Sequence, residues 1–301
     1  MSAELKQILQ NKLGERARFE QPMSAHTTWG VGGPAWCVCR VASQEEAGFV
    51  IRSTSEAGLP WMPLGRGSNL LVSDKGYPGV MLRLAGPLAS LRREEEKIWA
   101  GGGAHMPALV KLAARLGLAG VEWAAGIPGT VGGAVATNAG ALGSDMSRIT
   151  RQITLLLESG EVESVPAEKL KTGYRQGALP VRSLVLTALV QLSLDSPEAV
   201  NLRSEEALAK RRKSQPGHQP SAGSVFKNPP GDFAGRLIEE AGCKGLSVGG
   251  AQVSQMHANF IVNRGRATAR DVLALMQQVR EKVRQASGVD LEPEVEVVGD
   301  V

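Results

Sequence analysis

Cysteine is scarce in this chain of 301 residues: there are three, Cys37, Cys39 and Cys243. None belongs to a C-x-x-C pair, which excludes the common zinc frameworks, and no metal site is expected. Cys37 and Cys39 flank Val38 and point to the same face of a strand. Such neighbours rarely close a disulfide, so reduced thiols in a reducing compartment are expected. Aromatic residues make up only 4% of the chain. No arginine or lysine run carries interleaved aromatics, which argues against a nucleic-acid surface; "KRRK" at Lys210 to Lys213 reads as a solvated helix face. No apolar run reaches the ~20 residues of a membrane span. The stretch "MSAELKQILQNKLGE" carries charges throughout and reads as an amphipathic helix rather than a signal peptide. A cytoplasmic protein is the expectation. There is no Walker A loop. "GVGGPA" (Gly30 to Ala35) formally matches G-x-G-x-x-A, but "SAHTTW" precedes it and a strand follows it. The dinucleotide fingerprint needs strand, turn, helix, so that reading fails.

What the chain does have is glycine, 36 residues, within an ordinary globular balance of 43% hydrophobic and 21% charged residues and a net charge of +4. A glycine excess signals tight turns and close backbone approaches. Periodicity divides the chain into three regions, 1–85, 86–202 and 203–301. The first alternates strand and helix: "PAWCVCRVA" is a strand, and the next helix opens with Ser43 and Glu46 spaced as a capping box. "WMPLGRGSNLLVSD" is then strand, glycine loop, strand. The second has a strand "KIWAGGGA", a helix "MPALVKLAARLGLAG", a hairpin turning at Ser159-Gly160 and a long apolar strand. The third opens on the charged helix "SEEALAKRRKSQ", and "LSVGGAQVS" reads as one strand. It ends with a long helix whose apolar face is Val272, Leu275, Met276, Val279 and Val283, with Thr268 as N-cap. The class is α+β with mixed sheets.

Two glycine segments stand out. "PLGRGSNLL" frees its backbone at Gly65 and Gly67 and offers donors at Ser68 and Asn69, a nest for an anion; an ordinary tight turn is the plainer alternative. "GIPGTVGGAVATNAGA" (Gly126 to Ala141) is dominated by glycine and alanine and has no charge. It reads as a loop leading into a helix of tiny residues. Bare backbone there lets a large flat ligand lie against the chain and exposes N–H groups to phosphate; a close helix–sheet contact is the alternative. Two such loops in successive regions suggest one long ligand with a diphosphate between them.

With "GYR", "SAGSVFKNP", "GGAQVSQMHANFIVN" and "LEPEVEVVG" following in order, the chain resembles the bacterial UDP-N-acetylenolpyruvoylglucosamine reductases (MurB) over essentially its whole length. The resemblance implies a bipartite FAD-binding fold of the vanillyl-alcohol-oxidase type plus a C-terminal α+β substrate-binding domain. It implies non-covalent FAD, held by Leu64, Gly65, Arg66, Gly67, Ser68 and Asn69 and by Gly126, Ile127, Pro128, Gly129, Thr130, Gly132, Gly133 and Ala134. NADPH would be the co-substrate, and UDP-N-acetylglucosamine enolpyruvate the sugar nucleotide reduced to UDP-N-acetylmuramate for peptidoglycan. Carried over by motif, Arg175 binds the substrate carboxylate and stabilises the enolate, Ser224 donates the proton, and Glu294 assists, with Glu292 its local rival. Tyr174, Lys227, Asn228 and His257 are expected at the substrate, with Asn259 facing the same cleft. No nucleic-acid or membrane partner is expected, and a monomer is. The short spacing from Arg175 to Ser224 resembles the subclass lacking an inserted tyrosine loop.

Three departures from the family pattern stand out. "QGALPV" follows Arg175 where serine and phenylalanine are usual, Ser214 stands where a lysine is common, and His26 where asparagine is. A flavin oxidase on the same fold is a rival reading, but such enzymes often attach flavin through a histidine near the phosphate loop, and "GRGSNLL" has none. A flavin-binding scaffold that has lost catalysis is the other rival. The presence of Arg175, Ser224 and Glu294 argues against it.

Overall fold

Leu5, Leu9 and Leu13 recur every fourth residue and are buried along one face of α1 (Ser2–Leu13). The computed structural model describes residues 2–217 and 219–300. After α1 come β1 (Ala17–Pro22), β2 (Pro34–Val41), α2 (Gln44–Glu56), β3 (Trp61–Pro63), β4 (Leu70–Val72) and β5 (Tyr77–Leu84). The middle of the chain holds β6 (Leu91–Glu94), β7 (Lys97–Gly101), α3 (Met106–Leu116), β8 (Leu118–Ala119), α4 (Val131–Ala136), β9 (Gly140–Ala141), β10 (Ser144–Asp145), α5 (Met146–Ile149), β11 (Thr150–Leu157), β12 (Val162–Pro166), β13 (Ser183–Gln191) and β14 (Ser193–Leu194). The last part holds α6 (Pro197–Ser214), α7 (Ala234–Glu240), β15 (Ser247–Val248), β16 (Ala251–Val253), β17 (Ile261–Asn263), α8 (Ala269–Ser287) and β18 (Glu296–Val298).

These elements form two units from interleaved segments. One contains residues 1–19, 37–65 and 79–210; the other contains 20–36, 66–78 and 211–301. In the first, the sheet β12-β11-β13-β7-β6 is antiparallel throughout. Its core joins Ile98 and Ala100 of β7, Leu109 and Ala113 of α3, and Ile153 and Leu155 of β11. In the second, the sheet β15-β16-β17 packs with α7 and α8, and β18 pairs with β4 in parallel, Glu296 opposite Leu70. The fully buried Trp29 donates from Nε1 to the Ile261 carbonyl at 2.7 Å.

Helix α8 forms as its sequence predicts. Thr268 and Asp271 make a reciprocal capping box, Gly288 ends the helix at φ +73°, and all five expected apolar residues are buried. Asp74 adds a second cap, accepting from the backbone N–H groups of Ala269 and Arg270 at 2.8 and 3.0 Å. Two expectations change. "LSVGGAQVS" is a hairpin, not one strand: Gly249 turns at φ +52°, and a Cβ at Gly250 would sit 2.3 Å from the Ala267 nitrogen. The charged helix starts earlier, at Pro197, because proline is pre-set for a first helical turn. Cys37 and Cys39 lie buried on β2 as free thiols with their Sγ atoms 3.5 Å apart. Hydrogen bonding between them, together with burial, pushes the Cys37 thiol far above its ordinary range.

At the start of α2, Ser43 Oγ accepts from the Glu46 N–H, while the Glu46 carboxylate reaches back to the Ala42 N–H. Arg16 grips the same carboxylate through two nitrogens at 2.6 and 2.7 Å. The Arg16 hydrogen bond is the main reason the Glu46 carboxyl is held down to about 2. A depressed carboxyl stabilises the fold above its unfolded value, near 4.5, and that stabilisation disappears as pH falls towards about 2. Arg16 is 40% exposed, so water screens the pair and its contribution is about 1 kcal/mol. Glu46→Gln is therefore expected to lower thermal stability at neutral pH by about that amount. The gap from wild type should close as the melting series enters the acid range; a constant gap would show that the ion pair is not its source.

Candidate active site

Within the second unit, one backbone ladder brings together three of the expected site segments. The Glu294 N–H donates to the Val225 carbonyl at 2.8 Å, and the Lys227 N–H donates to the Glu292 carbonyl at 2.8 Å. Ser224 to Lys227 therefore runs beside Glu292 to Glu294, with Phe226 bridged to Pro293. On its other side Ser224 bridges Phe260. Ser224 and Glu294 are both half-buried. Asn69 then ties in the phosphate loop: its Nδ2 donates to the Glu294 carbonyl at 3.1 Å, and its own carbonyl accepts from the Glu296 N–H at 3.0 Å. The loop is held tightly at Gly67, whose φ is +62°. A Cβ there would lie 2.2 Å from the His26 carbonyl oxygen, so only glycine fits.

The neighbours of Ser224 divide the expected substrate contacts. Lys227 Nζ is 2.6 Å from the carboxylate of Glu292, which is 69% exposed. Glu292 is thus committed to a surface ion pair. Asn228 accepts the Ala234 N–H through Oδ1 and so caps α7. Asn259, expected in the cleft, is 4% exposed and clamps the backbone of Phe226, accepting its N–H at 2.9 Å and donating to its carbonyl at 2.8 Å. His257 Nδ1 accepts the Asn259 N–H, leaving Nε2 as the outward ring nitrogen. Burial is the main cause that lowers its pKa below the ordinary histidine value.

The first unit carries the other glycine segment. Thr130 is the N-cap of α4 and accepts the Gly133 N–H at 3.3 Å. The alternative reading, a close helix–sheet contact, also holds: α4 packs on β13 and β7, the Gly132 N–H donates to the carbonyl of Gly102 in the turn after β7, and a Cβ on Gly132 would sit 2.9 Å from that oxygen. Gly126 and Gly129 turn at φ +79° and +117°. Gly126, Pro128 and Gly133 are exposed, so part of this bare backbone stays open beside the part that packs. Gly65 lies against the same cap, a Cβ there falling 2.8 Å from Thr130 Oγ1. Gly65 therefore meets the second glycine segment at its N-cap. Backbone left bare of side chains at Gly126, Gly129 and Gly133 fits close approach by a flat ligand such as FAD.

Tyr174 and Arg175 form a two-residue turn closed by reciprocal hydrogen bonds between Gly173 and Gln176. Arg175 sits at φ +58°, a conformation that turns ordinarily give to glycine or asparagine. Its guanidinium stacks over the Tyr174 ring at 5.5 Å and donates from Nη1 to the Gly140 carbonyl at 2.9 Å. Sequence reasoning named Asn69 and Asn259 as ligand contacts rather than backbone clamps, and missed Asn138 altogether. A single asparagine inside a glycine-alanine segment, as at Asn138, was the one available signal. "KRRK" closes α6, with Lys210, Arg212 and Lys213 exposed and Arg211 bonded to Gln215.

Residues 35–165 match the FAD binding domain family, and residues 215–298 match the UDP-N-acetylenolpyruvoylglucosamine reductase C-terminal domain. The chain is 47% identical to the UDP-N-acetylenolpyruvoylglucosamine reductase of Heliobacterium modesticaldum, over 93% of this chain and 90% of that one. It is 41% identical to the Bacillus velezensis enzyme over 93% of each. The crystal structure of the Thermus caldophilus reductase (MurB) superposes with a TM-score of 0.82 at 40% identity, covering 94% of this chain and 98% of that one. A berberine bridge enzyme variant, a reticuline dehydrogenase, shares the fold alone, at TM-score 0.51 and 13% identity over 64% of this chain and 44% of its own. The FAD binding domain and the reductase relatives together define an FAD-dependent oxidoreductase. Within that class the chain belongs to the UDP-N-acetylenolpyruvoylglucosamine reductase (MurB) family, which acts in peptidoglycan synthesis.

The steric limit at Gly67 is testable. Gly67→Ala should lower the flavin content of the purified protein, read as visible absorbance per chain, while the far-ultraviolet spectrum is kept. Full flavin occupancy would show that the loop does not hold the cofactor.

Proposed function

We propose that the chain catalyses the NADPH-dependent reduction of UDP-N-acetylglucosamine enolpyruvate to UDP-N-acetylmuramate. The observation that carries the proposal is the placing of Ser224 and Glu294 on adjacent backbone segments, both tied to the phosphate loop through Asn69. Residues 64–69 and the segment from Gly126 to Ala134 would hold FAD non-covalently, and the bound group would supply to the terminal carbon of the enolpyruvyl group a hydride that originates in NADPH. The neighbouring carbon then carries enolate charge shared with the substrate carboxylate. Arg175 pairs with that carboxylate through its planar fork and stabilises the charge as it develops. Ser224 Oγ gives its proton to the enolate carbon; the carbon is strongly basic, so a weak acid suffices when held in place. Glu294 polarises the carboxylate, and Glu292, neutralised by Lys227, stays outside the chemistry. His257 and Asn228 belong to the substrate side, in the region 203–301 that we assign to the sugar nucleotide. The enzyme acts as a cytoplasmic monomer in this reading.

Ser224→Ala should keep FAD and its bleaching by NADPH under anaerobic conditions, while reoxidation by the enolpyruvyl substrate collapses. Normal reoxidation in that variant would remove Ser224 as the proton donor. For the two carboxylates, Glu294→Gln should slow turnover by about a hundredfold or more. Glu292→Gln, which loses only an exposed ion pair, should stay within about threefold of wild type. The reverse ranking would transfer the role to Glu292.

A further inference from the structure

Asn138 lies at the exit of α4, in the glycine segment assigned to the cofactor, and is 5% exposed. Its φ is +43°, a left-handed conformation that asparagine tolerates better than most residues. Its side chain spends both polar atoms on other segments. Nδ2 donates to the Gly173 carbonyl at 2.9 Å, and Oδ1 accepts the Ser147 N–H at 3.0 Å. Gly173 is the residue whose carbonyl and N–H close the turn carrying Arg175.

Two further contacts bind that turn to the same stretch. The Gly177 N–H donates to the Ala136 carbonyl at 3.1 Å, and Arg175 Nη1 donates to the Gly140 carbonyl. Gly177 makes its contact because it has no side chain: a Cβ there would lie 2.3 Å from the Val135 oxygen. The "QG" that departs from the family pattern after Arg175 thus has a physical use here. Residues on either side of the turn, Thr172 and Gly177, line a cavity of about 450 Å³ together with Asn138. Hydrogen bonds, more than packing, therefore fix the turn. They must also hold Arg175 in a strained backbone conformation, which costs on its own and persists only when its surroundings insist on it.

We propose that Asn138 is a positioning residue that registers Arg175 against the cofactor segment. One side chain fixes the exit of α4 and the arginine turn relative to each other, so the charge-stabilising group is set by the same backbone that receives FAD. The inference rests on the role of Arg175 proposed above.

Asn138→Gly is the informative variant, since glycine keeps the left-handed backbone and deletes both side-chain hydrogen bonds. Anaerobic stopped-flow of the flavin-loaded enzyme is expected to show reduction by NADPH within about twofold of wild type. Reoxidation by the enolpyruvyl substrate should be about tenfold to a hundredfold slower, the size of effect that a misplacement near 1 Å produces. In an Arg175→Ala background the same change should add less than about twofold, because Asn138 acts through the arginine. A multiplicative loss in the double variant, or equal slowing of both half-reactions, or loss of flavin, would overturn the inference while leaving Arg175 in its role. Normal reoxidation in Arg175→Ala alone would instead overturn the reading of Arg175. Should Asn138→Gly fail to fold, Gly177→Ala displaces the turn from outside α4 and is expected to give the same pattern. Normal reoxidation in that variant would count against the proposal.

Discussion

Most of the second unit's share of the site depends on the backbone of one residue. Glu294 gives its N–H to Val225 and its carbonyl to Asn69. The first bond fixes the segment that carries Ser224, and the second fixes the end of the phosphate loop. Displacing the segment at Glu294 would break both bonds, and a peptide group left buried without a partner is costly. The Ser224 segment is thus placed by a bond between peptide groups, and the loop at Asn69 by one hydrogen bond from a side-chain amide and one between peptide groups. Side chains then refine it: the Asn259 amide grips Phe226 on both of its peptide groups, so Ser224 is followed by a stretch that cannot slide.

The same logic governs the other unit by the opposite means. Its segment from Gly126 to Ala141 works by having almost no side chains, which lets Gly132 lie on Gly102 and Gly65 lie on the Thr130 cap. Close approach of this kind leaves little room for error. Packing alone does not carry it to the arginine turn, where the chain returns to hydrogen bonds from Asn138 and Gly177.

Much of this was legible in the sequence. The apolar spacing of α8, its Thr268 cap, the hairpin at Gly160 and the paired thiols of β2 follow from local rules that act within a few residues. The glycine segments were legible for the same reason, since their composition has few other uses. The asparagine clamps were not. Asn69 meets a carbonyl 225 residues away, Asn259 one 33 away and Asn138 one 35 away. Only the folded topology creates those neighbours. Strand alternation leaves Glu292 and Glu294 level and the family resemblance alone favours Glu294; that Glu292 pairs with Lys227 is visible only in the fold. The hairpin at Gly249 was missed because a pair of glycines inside an apolar stretch reads equally well as a bulge and as a turn.

The second unit is assembled from residues 20–36, 66–78 and 211–301, and β4 has its parallel partner in β18, at residues 296–298. During synthesis, therefore, the phosphate loop leaves the ribosome long before the strand that will anchor it. Its sheet edge stays unpaired through most of translation, and contacts this distant in sequence form slowly. The loop before β4 can gain this strand partner only after β18 has been made, so local sequence alone cannot complete it.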